Sequence, residues 1–180
     1  MEIKRFGDSE LIAALTAFAT GENAARQTAD MYGNSQHWFH LDEPAKLVPA
    51  AAVLAGKGAR LTMVSACRRD METLTQDICY HFEFKGMLYT LTVTLTEACP
   101  ATPSITSYFL NADWHEREMM ELYGIPVSDQ PNPHRLFLDE VLDAGLLNGA
   151  VPLSVMMNGA CSTDLWERIL QGREQQKEAE

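Results

Sequence analysis

The densest run of chemically able side chains is Asp113-Trp114-His115-Glu116-Arg117-Glu118-Met119-Met120-Glu121-Leu122-Tyr123. On a helix Asp113 and Arg117 are neighbours one turn apart, and so are Arg117 and Glu121. That spacing predicts a guanidinium held between two carboxylates. Trp114, Glu118 and Glu121 fall on one stripe, which Leu110 extends one turn back. An apolar stripe interrupted by acids leaves two readings open. One is a solvated face with local ion pairs, each worth ~0.3–0.5 kcal/mol. The other is a helix whose carboxylates receive an arginine or lysine from a partner, where bidentate geometry gives specificity.

Metal chemistry is the sharper alternative: a free-standing metal-dependent enzyme using His115, Glu118 and a second histidine. The zinc-protease pattern H-E-x-x-H is absent, because Met119 stands at its last position. His37 and His40 flank Trp38-Phe39 and, on a strand, point to opposite sides. Cys67, Cys79, Cys99 and Cys161 have no C-x-x-C spacing, so reduced thiols are expected and no cluster in this chain. There is no G-x-S-x-G, no P-loop and no G-x-G-x-x-G. His134-Arg135 follows a proline run, where the arginine either binds an anion or is tied to backbone carbonyls. The pairs Met119-Met120 and Met156-Met157 read as core or interface filler.

These residues sit in a chain whose pattern predicts α+β architecture. Asp8 or Ser9 caps a first helix carrying Leu11, Ile12, Leu15 and Phe18, with Gly21 as terminator. A second short helix is expected over Asn23–Met31, before the turn signal Gly33-Asn34. Gln36–Leu41 reads as a strand, and Pro44–Leu54 as a helix with Pro49 inside it. Three strands come next: Ala59–Cys67, with Leu61, Met63 and Ser65 on one face, then Thr75–Phe84 and Met87–Thr96 about a Lys85-Gly86 turn. The last alternates, with Thr90, Thr92 and Thr94 facing outward. Ala98–Thr106 is a connector, Leu110–Tyr123 a helix ended by Gly124, and Pro126, Pro131 and Pro133 then forbid regular structure. One short helix is expected within Leu136–Leu147 and a capped one from Thr163 onward. Strands gathered into one hairpin-rich run indicate an antiparallel sheet with helices packed on it, followed by a proline-rich extended C-terminal tail. Two parts are expected: 1–125, ending in the charged helix, and 126–180, the tail.

The 180 residues carry 25 acidic against 14 basic side chains, a formal charge of −11. Such a surface repels nucleic acid and anionic membrane faces, whose affinity comes largely from phosphate neutralisation. With no apolar run of about 20 residues and no signal-like start, a cytoplasmic protein is expected.

From Thr102-Pro103-Ser104-Ile105-Thr106 through Trp114-His115-Glu116-Arg117-Glu118-Met119-Met120-Glu121-Leu122-Tyr123-Gly124-Ile125, the chain resembles the thirty-kilodalton subunit of respiratory complex I, the NADH–quinone oxidoreductase. That signature has a proline-serine approach, an E-R-E-x-x-D/E core, an aromatic-Gly-Ile end, then a proline and an arginine. Pro131, Pro133, Arg135, Leu136, Phe137 and Leu138 fit the continuation, and Pro152-Leu153 echoes a later Pro-Leu. Two positions depart from it. Asp129-Gln130-Pro131 stands where the family often has Gly-His-Pro, and Ser154-Val155-Met156-Met157 replaces its basic-acidic end. The run W-H-E-R-E-M-M-E-L-Y-G-I followed by H-R-L-F-L is more similar to the homologous subunit of energy-converting nickel–iron (NiFe) hydrogenases and formate hydrogenlyase-type complexes.

The resemblance implies a non-catalytic, peripheral-arm subunit with no cofactor of its own, sitting at the inner face of the cell membrane through its complex. Iron–sulfur clusters, and nickel–iron or flavin and quinone, belong on that view to partner chains. It would dock on the large subunit, near small iron–sulfur subunits, through Trp114, Glu116, Arg117, Glu118, Glu121, Tyr123 and Gly124. Pro133, His134 and Arg135 would anchor the tail there.

Overall fold

The computed structural model describes residues 8–19, 24–67, 70, 72–138 and 144–148. Its first helix, α1 (Ser9–Thr16), starts where Asp8 Oδ1 accepts from the Leu11 N–H at 3.1 Å and buries Leu11 and Leu15. Lys85 reaches the same Asp8 carboxylate at 3.0 Å, tying a distant hairpin turn to the helix start.

The segment expected as a second helix is instead strand β1 (Ala25–Ala29), antiparallel to β2 (Ser35–Leu41). Alanine-rich composition favours a helix, but β1 is almost wholly exposed and offers no apolar stripe to bury. The turn decides its fate. Asp30 accepts from the N–H groups of Tyr32 and Asn34, both at 2.8 Å, and Gly33 takes φ +81°, so the chain reverses onto β2.

A short 3-10 turn (Pro44–Lys46) leads into α2 (Leu47–Gly56), so Pro49 falls in the first helical turn, where its missing N–H costs nothing. Strands β3 (Arg60–Ala66), β4 (Gln76–Phe84) and β5 (Met87–Leu95) come after it. The β4–β5 turn places Lys85 and Gly86 at φ +53° and +76°, the geometry of a two-residue hairpin.

The five strands lie in the order β1-β2-β5-β4-β3, with β2 and β5 parallel and every other pair antiparallel. Leu11 and Leu15 of α1, Leu47, Ala50, Ala51 and Leu54 of α2, and Phe39, Leu41, Ile78, Tyr80, Phe82, Tyr89, Leu91 and Val93 of the sheet form one buried cluster. Among the described residues the helices therefore cover one face of the sheet and leave the other open.

Two expected faces change. A register shift between Leu61 and Met63 turns Leu61 and Val64 inward and leaves Met63 half-exposed, beside Ser65 on the open side. Thr90 faces outward as the alternation requires, yet it is fully buried, because His81 lies over it and meets its hydroxyl through Nδ1 at 2.9 Å.

The connector after β5 contributes the two-residue strand β6 (Thr102–Pro103). It pairs in parallel with β7 (Val127–Ser128), which fits between Pro126 and Pro131. Between them runs α3 (Ala112–Tyr123), ended by Gly124 at φ +63°. Of the helix expected within Leu136–Leu147, a 3-10 turn is present at Leu146–Asn148. Residues 139–143, and the tail helix expected from Thr163, lie outside the described residues.

Candidate functional site

Helix α3 uses its charges within the chain, and in a division the spacing did not reveal. Glu116 is fully buried. Its carboxylate accepts from the Ile105 N–H at 2.8 Å, the Ser104 and Thr106 hydroxyls at 2.7 and 3.0 Å, and the Gln130 amide at 3.0 Å. One side chain thus joins the approach to α3 with the chain that leaves it. Burial pushes the Glu116 pKa above its ordinary value, while the hydrogen bonds from Ile105, Ser104 and Thr106 pull it back and the charge of Asp113 adds to the rise.

Glu121 is 3% exposed and does not meet Arg117, contrary to the expected Asp113–Arg117–Glu121 bridge. It accepts from three successive backbone N–H groups, those of Leu136 (2.8 Å), Phe137 (3.1 Å) and Leu138. A run of N–H groups of this kind makes a nest for an anion. Burial works to raise its pKa, but the N–H groups of Leu136, Leu138 and Phe137, with the charge of Arg135, outweigh it and hold the carboxyl below its ordinary value.

Arg117 keeps one of its two predicted partners: Nη1 lies 3.5 Å from Asp113 Oδ2. The rest of the guanidinium is spent on backbone, with Nε donating to the His134 carbonyl at 2.7 Å and Nη2 to that of Arg135 at 2.8 Å. Arg117 on the helix is thus an arginine tied to loop carbonyls. Glu121 and Arg117 grip the same strip from its two polarities, one taking its N–H groups and the other supplying N–H to its carbonyls.

These holds present an apolar surface. Trp114 is 60% exposed and Phe137 65%, with ring centroids 6.5 Å apart, edge to face. Leu110, 84% exposed, lies in the turn that leads into α3. Glu118 remains partly exposed at the side, 4.0 Å from His115 Nδ1. Among the described residues no three His, Cys, Asp or Glu side chains gather to hold a metal ion.

At the helix C-terminus Gly124 faces Gly145 back to back, where a Cβ on Gly124 would lie 3.4 Å from the Gly145 Cα. The Gly145 N–H donates to the Glu121 carbonyl at 2.9 Å, and the Asn148 amide donates to the Tyr123 carbonyl, so two of the last carbonyls are satisfied. Gly124→Ala should destabilise the fold by ~1–2 kcal/mol, since a side chain disfavours left-handed backbone; a lowered urea midpoint is the expected reading.

Of the ten residues singled out in the sequence, Glu116, Arg117, Glu121, Tyr123, Gly124, His134 and Arg135 are brought together by contacts between α3 and the segments C-terminal to it. Trp114 and Glu118 stand on its outer side, and Pro133 is exposed. Reading from spacing missed Ser104, Thr106, Gln130 and Asn148 as polar partners. Gln130 occupies the middle of Asp129-Gln130-Pro131, and its amide N–H supplies Glu116 with the kind of donor that a histidine there also carries.

The fold and this helix define an α+β domain type that similar proteins make specific. The chain belongs to the family described as "Respiratory-chain NADH dehydrogenase, 30 Kd subunit", whose pattern matches residues 42–157. It is 46% identical over 44 residues to NAD(P)H-quinone oxidoreductase subunit J of a Synechococcus species, covering 24% of this chain and 23% of that protein. It is 30% identical over 95 residues to an NADH-quinone oxidoreductase subunit of Paramagnetospirillum magneticum, covering 51% and 48%. The chain thus spans less than half the length of either relative. Among solved structures, a trypsin-resistant fragment of Nqo5 shares the fold with TM-score 0.50 at 15% identity, over 68% of this chain and 96% of that one. A chain of the membrane-bound sulfane sulfur reductase, an archaeal respiratory membrane complex, shares it with TM-score 0.53 at 10% identity, over 67% and 70%.

Proposed function

We propose that this chain is a non-catalytic structural and assembly subunit in the peripheral arm of a complex-I-like, membrane-associated oxidoreductase. It docks on the large subunit, of nickel–iron hydrogenase type in preference to quinone-site type. One observation carries the reading: α3 spends Glu116, Arg117 and Glu121 on holding its own chain, and the result is a fixed, exposed Trp114–Phe137 pair. Large aromatic side chains presented on a rigid base are the usual anchors of protein interfaces. Family membership supports the assembly role, and the fold likeness to a chain of a sulfane sulfur reductase complex is compatible with redox chemistry other than quinone reduction. The choice of hydrogenase branch rests on the sequence of α3 and its H-R-L-F-L continuation. No described helix is long and apolar enough to cross a membrane; in this reading membrane contact comes through the complex.

In this reading the ten docking residues divide. Trp114, Glu118 and the exposed Pro133 and His134 meet the partner, while Glu116, Arg117, Glu121, Tyr123, Gly124 and the backbone of Arg135 shape the surface from within. Trp114→Ser and Phe137→Ser are each expected to cut recovery of the assembly about tenfold, while stability stays within ~0.5 kcal/mol of the parent. Full recovery in both variants would remove the docking face.

The deciding experiment is affinity purification of the tagged chain from its own host in mild detergent. Nickel with hydrogen-dependent dye reduction supports the hydrogenase branch. Iron with flavin and NADH-dependent quinone reduction assigns it to NADH–quinone oxidoreductase instead, and elution alone defeats the subunit reading.

A further inference from the structure

The open face of the sheet carries a second candidate surface, on the side opposite the helices. Trp38 and His40 are two apart on β2 and face the same way, and the register sets Arg26 across from Trp38 and Thr92 across from His40. Together Arg26, Trp38, His40 and Thr92 line a half-open cavity of about 520 Å³, within the range that accommodates ligands or inserted side chains.

In a chain of formal charge −11 this corner carries an exposed cation, Arg26. Arg26 is exposed and forms no ion pair with any described residue. Within the described strands, the acids of the same sheet face, Asp77 and Glu83, stand on β4 and are engaged there. Asp77 accepts from Thr94 at 2.5 Å; Glu83 accepts from the Gly86 N–H at 2.7 Å and lies 3.8 Å from Arg60. Trp38 is not loose. The edge of its ring system meets His81 at 6.1 Å and 88°, and His81 is itself pinned between Thr90 (2.9 Å) and Ser65 (3.0 Å). An aromatic platform fixed in advance loses little entropy when something settles on it.

We propose that this corner receives an acidic segment of a neighbouring subunit, with a carboxylate on Arg26 and an adjacent aliphatic or aromatic side chain against Trp38. Charge complementarity selects the occupant: guanidinium–carboxylate pairing is short, directional and bidentate, and Trp and Arg together are the residue types that dominate interface energies. His40 and Thr92 supply further polar contacts at the floor. The inference rests on the subunit reading above, and it makes the chain a bridge between two partners on opposite faces of one sheet.

The test places the photo-crosslinking residue p-benzoylphenylalanine at Gln36, which neighbours Trp38 on the same face, in the full chain expressed in its own host. The purified assembly is irradiated and the joined peptide sequenced, in parallel with a variant that also carries Arg26→Glu. The expected result is a crosslink to another subunit within a segment containing Asp or Glu, reduced about fivefold or more by the charge reversal. A crosslink within this chain, a crosslink to a segment without acids, an intact assembly with no crosslink, or a yield indifferent to Arg26→Glu each overturns it and leaves the docking face on α3 standing. A chain that purifies alone ends both readings.

Discussion

Glu121→Ala is expected to free residues 136–138 from α3 and to lower the unfolding free energy by ~2–3 kcal/mol. Hydrogen bonds to a charged acceptor contribute ~1.5–3 kcal/mol each, but released surface N–H groups recover part of that from water. The three N–H groups of Leu136, Phe137 and Leu138 converge on this one carboxylate. Without it Phe137 loses its fixed place beside Trp114, so the variant should also assemble poorly, for a different reason than Phe137→Ser, which should fold normally. Urea unfolding and amide exchange at 136–138 check the effect; unchanged protection there would refute the clamp. The pH dependence comes from the direction of the pKa. The folded value lies below the ordinary 4.5, so the stabilisation is complete above that pH and is lost as pH falls through the folded value. The gap between wild type and Glu121→Ala should therefore close on acidification below 4.5.

What the sequence made legible was local. The Met87–Leu95 alternation and Lys85-Gly86 marked the β4–β5 hairpin, and the stop at Gly124 marked the end of α3, because period and turn chemistry are properties of neighbours. Long-range pairing left no such trace. The parallel match of β2 to β5 joins Gln36 to Leu88 across an intervening helix and two strands, and only a complete sheet reveals it. β1 reads as a helix in isolation for the same reason, since an exposed edge strand exists by virtue of the partner it borrows. At the site, the charge density of α3 and the Asp113–Arg117 pair could be read from spacing. The partners of Glu121 and most of those of Arg117 are backbone N–H and C=O groups, which every residue carries and no motif advertises.

Glu116→Ala should have the largest effect of any single change on α3, a loss of ~3–4 kcal/mol. The site has no exposure, so the Ile105 N–H and the Gln130 amide lose their acceptor with no water at hand, and a cavity is added where the carboxylate stood. The consequence reaches the β6–β7 pairing, because Ser104 both donates to Glu116 and, through its N–H, to the Ser128 carbonyl at 2.8 Å. Glu116→Gln is expected to cost less than half as much: a carbonyl remains for part of the donor set, and the buried charge, which is what raises the pKa, is gone. The pH signature is opposite to that of Glu121. A folded pKa above the ordinary 4.5 means that proton-linked stability is fully present below that value and is lost as pH rises through the folded value. On acidification from neutral pH the wild type therefore gains what Glu116→Ala cannot, and their gap should widen while the Glu121→Ala gap narrows. Matched urea titrations of the two alanine variants at pH 7 and near pH 4 read both signs at once; gaps that move in the same direction would show that one of the two carboxylates is held otherwise than by the contacts described.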